Sequence, residues 1–161
     1  MLSKEDLHTL RSQNYQLIFN IGVPYSGKKT QCEKISKEFK YSKISMKEII
    51  QKEINSKTNL GIQAKESIEK NEPLKIEVLT SILISNIIES HELSIIIEGF
   101  PNTLEEAIFF EQNVIPINKI IIYDAKEEEC FNRMLEDKSV EEKKDKGRVF
   151  GNIQKFPKKY G

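Results

Sequence analysis

Gly22, Gly27 and Lys28 follow an apolar run in the stretch IGVPYSGKKTQ, Ile21 to Gln31. Glycines at this spacing let successive backbone N–H groups turn inward, a lysine can reach phosphate oxygens, and a helix N-terminus behind them favours an anion. The chemistry would be phosphate binding. The generic pattern G-x-x-x-x-G-K-[ST] is displaced by one position, because Lys29 follows Lys28 and the hydroxyl arrives at Thr30. Tyr25 places a side chain on backbone that such loops leave to glycine, which predicts a loop tightened or partly filled by the ring. Lys29 opens the following helix, where its charge favours phosphate but opposes the helix dipole.

The elements around the loop are those that could position it. Tyr15 to Ile21 reads as a strand, and Lys28 to Phe39 as a helix through Cys32, Ile35 and Phe39. Ile95 to Ile97 and Lys119 to Tyr123 are β-branched runs without alternation, the pattern of parallel strands covered on both faces. Helical spacing recurs over Leu2–Gln13, Met46–Ile54, Gly61–Lys70, Ile76–Ser90, Leu104–Gln112 and Lys126–Glu136, with Pro73, Pro101 and Pro116 in the connections. This order predicts an α/β fold with right-handed crossovers. From Asp137 to Gly161 the chain is charged and interrupted by Gly147, Gly151 and Pro157, which predicts a loop-rich tail.

Composition narrows the functions. The 161 residues fit one domain, and 25 basic against 25 acidic residues leave no global field for nucleic acid or an anionic membrane. No apolar run reaches the length of a membrane span. Cys32 and Cys130 form no CxxC pair and no metal-type cluster, which suits a reducing compartment. The expectation is a cytoplasmic protein without a resident metal.

The loop resembles that of the adenylate kinase family, G-x-P-G-x-G-K-G-T-Q-C, with Gly22, Pro24, Ser26, Gly27, Lys28, Thr30, Gln31 and Cys32 in step. The resemblance continues to Arg133. SMKEIIQ, Ser45 to Gln51, is similar to the family's S-T-G-D-L-L-R after the second strand. Glu98, Gly99, Phe100, Pro101 and Asn102 match D-G-F-P-R, and Glu106–Ala107 matches the following Q-A. The resemblance implies a P-loop NTPase-type three-layer αβα fold with parallel strands in the order 2-3-1-4. It also implies an N-terminal helix over residues 1–14, an adenylate kinase-like domain over 15–136 with a helical nucleoside monophosphate (NMP)-binding insertion at about 45–75, and a lid remnant or tail over 137–161. ATP phosphates would meet Gly22, Pro24, Tyr25, Ser26, Gly27, Lys28, Lys29 and Thr30; Lys28, Arg133 and Arg148 would be the catalytic cations. Ser45, Gln51, Gly99, Asn102 and Glu106 would fall at the NMP site.

The departures lie among the charges. Kinases of this class surround the transferred phosphate with arginines, and this chain has three: Arg11, Arg133 and Arg148. Gln51 and Asn102 stand where arginines would clamp AMP, Asp137 and Phe156 where later ones would lie, and Glu106 replaces the glutamine that reads adenine. The expectation is a degenerate domain that binds adenine nucleotide weakly and transfers little or no phosphate; the alternative is an active kinase making two ADP from ATP and AMP, with Mg2+ as the only cofactor. A third reading has Glu106 accepting N–H groups from another base, against its being simply solvated on its helix. The fifth strand of the family is expected to be missing, leaving Lys119 to Tyr123 as an open edge for a protein partner. Noncatalytic domains of this kind occur in ciliary axonemes, and the resemblance extends to that setting.

Overall fold

The computed structural model describes residues 3–137. Helix α1 (Lys4–Ser12) starts at Ser3, whose Oγ accepts from the Asp6 amide at 3.0 Å. Strand β1 (Gln16–Gly22), the loop and helix α2 (Lys28–Phe39) follow, then strand β2 (Ser42–Ser45) and helices α3 (Met46–Asn55), α4 (Asn59–Glu69) and α5 (Ile76–Glu89). Strand β3 (Ser94–Glu98), helix α6 (Leu104–Asn113), strand β4 (Lys119–Tyr123) and helix α7 (Glu127–Glu136) complete the described chain. The four strands are parallel in the order β2-β3-β1-β4. Central β1 pairs Gln16 to Asn20 with Ser94 to Glu98 on one side and Ile18 to Gly22 with Lys119 to Tyr123 on the other. Its end at Ile21 and Gly22, where the loop begins, is paired with β4, while the pairing with β3 reaches as far as Asn20. Among the described residues no helix is long and apolar enough to cross a membrane.

The core accounts for the pattern. Leu17, Phe19, Ile95 and Ile97 meet α5, whose Ile82, Leu83, Ile84 and Ile87 are fully or almost fully buried. Three rings form the centre: Phe110 packs at 5.3 Å edge-on to Phe19 and at 5.6 Å to Phe100. Arg11 ties α1 to the far end of α6, donating from Nε to Val114 O at 2.8 Å and from Nη2 to Asn113 O at 3.0 Å. These carbonyls lie at a helix C-terminus, where a cation and extra donors are favoured.

Two expectations change. Helix α4 begins before Gly61 because Thr58 is the cap, its side chain accepting from the Gly61 amide at 3.0 Å. Gly61 serves closeness instead: a Cβ there would collide with the Glu53 carbonyl of α3, so the two helices of the stretch 45–75 touch backbone to backbone. Strand β4 is not covered on both faces among the described residues; Ile120 and Ile122 are 46% and 66% exposed. The tail expected after Asp137, with Arg148 and Phe156, lies outside the described residues.

Phe110→Ala should cost about 3–5 kcal/mol of stability, since the ring is fully buried between two others and leaves a cavity. Urea unfolding measures it; a loss under 1 kcal/mol would mean that the three-ring centre collapses freely.

Candidate functional site: the loop between β1 and α2

Every residue from Ile21 to Val23 is buried, so the loop emerges directly from the core. Gly22 is required by close approach: a Cβ would lie 2.7 Å from Ser26 Oγ and 3.1 Å from Tyr123 Cβ. Gly27 caps α2 in the left-handed region at φ +88°, which glycine adopts at no steric cost. Between them the Ser26 amide donates to Val23 O at 3.2 Å, closing the turn past Pro24. Lys28 folds back and donates from Nζ to Gly22 O at 2.6 Å. Burial pushes its pKa below the usual lysine value, while the nearby Glu98 carboxylate pulls it upward.

Tyr25 is also left-handed, at φ +65°. For a bulky residue this costs about 1–2 kcal/mol, and three contacts offset it. The ring packs beside Val23, Ala125 and Cys130, its hydroxyl donates to Asp137 Oδ2 at 2.8 Å, and Arg133 Nη1 donates to Tyr25 O at 2.9 Å. Burial, and then the Asp137 contact, push the phenol pKa up. The loop is thus tightened, as the sequence suggests, through a bond that leads out to the end of α7. Outside the loop an open cleft of about 430 Å³ is lined by Tyr25, Gly27, Lys29, Thr30, Gln31 and Arg133. Lys29 and Thr30 lie exposed in the first turn of α2.

The opposite side is built differently. Ser45 is buried at the start of α3 and makes no capping bond with its side chain. Gly99 has φ +86°, and a Cβ there would touch Met46 at 3.4 Å. Gln51 turns its amide along its own helix to Asn55 Oδ1 at 2.9 Å. Asn102 donates from Nδ2 to Gly99 O at 2.7 Å. Glu106 is not solvated: it is 8% exposed, and Oε2 accepts from the Asn102 amide at 2.6 Å while its own amide donates to Thr103 Oγ1 at 3.1 Å. This reciprocal arrangement at the start of α6 works as a capping box does.

The structure therefore brings Gly22, Pro24, Tyr25, Ser26, Gly27, Lys28, Lys29, Thr30 and Arg133 around one loop, with Arg11 remote from it. Sequence reasoning did not single out Lys43 on β2, whose ammonium lies 3.4 Å from Glu98 Oε2. A lysine inside the short strand SKIS, one residue before the buried Ile44, was the available signal.

A glycine loop joining the central strand of a parallel sheet to a helix defines a phosphate-loop α/β domain. The family model described as adenylate kinase matches residues 20–153, and the chain belongs to that family. It is 32% identical over 122 residues to adenylate kinase 1 of Schistosoma mansoni, covering 74% of this chain and 62% of that protein. It is also 28% identical over 148 residues to the uridylate kinase of Saccharomyces cerevisiae, covering 89% and 70%, and 27% identical over 131 residues to adenylate kinase isoenzyme 1 of Gallus gallus, covering 80% and 68%. The chain thus spans less than two thirds of the length of the Schistosoma relative.

Tyr25→Phe should speed amide exchange at Ser26 and Gly27 roughly 2- to 10-fold, the yield of one hydrogen bond worth about 0.5–1.5 kcal/mol. Unchanged protection would show that the Asp137 bond contributes nothing to the loop.

Proposed function

We propose that this chain is a nucleotide-binding domain of the adenylate kinase family with little or no NMP phosphotransfer, acting within a larger assembly. One observation carries the reading: at three of the five NMP-site positions, Gln51, Asn102 and Glu106, the side chains are engaged with the chain itself and supply no guanidinium. A neutral amide cannot form the charged, two-pronged clamp that holds a monophosphate. Each lost transition-state donor costs roughly 10²- to 10³-fold in turnover. The loop side retains Gly22, Gly27, Lys28 and Arg133, which supports binding of an adenine nucleotide there. Magnesium would enter with ATP as part of the substrate and otherwise has no part.

A nucleotide at the loop displaces the Lys28 bond to Gly22 O, and the strain at Tyr25 keeps the backbone from adapting freely, so weak binding is the expected result. The open edge at β4, with Ile120 and Ile122 exposed, supports a protein partner pairing there. The axonemal setting rests on resemblance alone. The alternative, an active kinase converting ATP and AMP into two ADP, is favoured by family membership and by the kinase names of the relatives.

Calorimetry with ATP and ADP should give weak binding that Lys28→Ala lowers roughly 10- to 100-fold, as expected for charge-assisted bonds to phosphate. A coupled assay with ATP and AMP should show no turnover above background. Turnover typical of a kinase, abolished by Lys28→Ala, would establish the alternative. For the partner, the amides of Ile120 to Ile122 should exchange quickly in the isolated chain; full protection in a monomer of measured mass would remove the need for one.

A further inference from the structure

Beneath α2 the charges alternate along a line that leads away from the loop. The Lys43 ammonium lies 3.4 Å from Glu98 Oε2 and 3.6 Å from Glu33 Oε1. Lys43 and Glu98 are only 18% and 14% exposed, whereas Glu33, on α2, is 48% exposed. The register explains the reach: in β2 and β3, Ser45 stands opposite Glu98 and Lys43 opposite Ile96, so an extended lysine passes along the strand to the carboxylate at its end. Glu98 in turn stands opposite Asn20 of β1, two residues before Gly22. Its charge is felt at Lys28.

A carboxylate so little exposed requires a counter-charge; Lys43 supplies it at 3.4 Å, and Lys28 lies within the field of the same carboxylate. Which one holds it decides whether the loop lysine is available to a ligand. Here Lys43 holds Glu98, and Lys28 directs its ammonium to Gly22 O at 2.6 Å, a neutral contact that a phosphate can replace. The other titratable groups that face this line include the thiols of Cys32 on α2 and Cys130 on α7 and the phenol of Tyr123 on β4, all pushed up by burial and therefore neutral.

We propose that Lys43 is a positioning residue for the phosphate loop: by holding the Glu98 carboxylate it keeps Lys28 available to a nucleoside di- or triphosphate. The inference rests on the nucleotide-binding reading above and names the side chain that tunes it. Without Lys43, Glu98 pairs with Lys28, and an incoming phosphate must displace a carboxylate rather than a carbonyl. Lys43 touches no ligand in this scheme and acts only through Glu98.

A double-mutant cycle with two readouts tests this. In calorimetry with ADP in EDTA, Lys43→Met should weaken binding about 10-fold, equivalent to about 1.4 kcal/mol. Lys43→Arg should bind like the parent, and Lys43→Met added to Glu98→Gln should change affinity by less than about 2-fold. The second readout needs no ligand: NMR titration of the Lys28 side chain should show its pKa rising in Lys43→Met but hardly moving when the same change is made in the Glu98→Gln background. Thermal melts confirm folding, and Lys43→Gln replaces Lys43→Met if the latter unfolds. An equal rise in both backgrounds would mean direct repulsion between the two ammonium groups, and no rise would leave Lys43 a purely structural residue; either result overturns the proposal. Absence of ADP binding in the parent chain, with the NMR cycle as expected, would defeat the nucleotide reading while leaving the positioning of Lys28 intact.

Discussion

The hydrogen bond from Lys28 Nζ to Gly22 O closes the turn on which the site depends. It can form only because β1 delivers Gly22 from the middle of the sheet and Gly27 reverses the backbone into α2 at φ +88°. Strand β4, paired with Gly22, holds the start of the loop, and α2 holds its end. What remains adjustable is the short span over Pro24, Tyr25 and Ser26. There the chain carries a strained tyrosine, held by α7 through Arg133 and Asp137. The loop's shape is consequently shared between the sheet and the last described helix.

The two sides of the site differ in electrostatics more than in backbone. On the loop side, cations face outward or rest on carbonyls. On the side of α3 and α6, left-handed Gly99 is kept, and the polar side chains nearby are drawn into local bonds: Asn102 to Gly99 O, Glu106 to the Asn102 amide, Gln51 to Asn55. The buried Glu106 carboxylate accepts from the Asn102 amide just ahead of its own helix, a charge-assisted bond that helps to satisfy it. Any ligand asking for it would have to break a cap that stabilises α6.

Much of this was legible in the sequence because periodicity and punctuation agree. Lys28–Phe39 and Lys119–Tyr123 fall at the expected bounds, and the resemblance supplied the strand order. The start of α4 was not legible, since Gly61 looks like a boundary while Thr58 is the cap. The four residues of β2 are too few for a period, and only the resemblance placed a strand before Ser45. Within the site, types and spacing gave the loop but not its tertiary bonds: Tyr25 and Asp137 are 112 positions apart, and no local pattern joins them. Glu106 looked like an exposed helix position because the turn that buries it is made by the backbone of Asn102.

Arg11 and Arg133, the two arginines among the described residues, both donate to backbone carbonyls: Arg11 to two at the end of α6, Arg133 to one in the loop. A guanidinium is a rigid planar fork, whereas an ammonium is a point donor. In a chain where lysine serves for nearly every other positive charge, these two positions resist that exchange for reasons of shape. Lysine at position 11 would keep the charge near the helix end yet could not span Asn113 and Val114 with the same fixed geometry. The scarcity of arginine therefore marks where this protein uses a cation as a bracket for its own main chain.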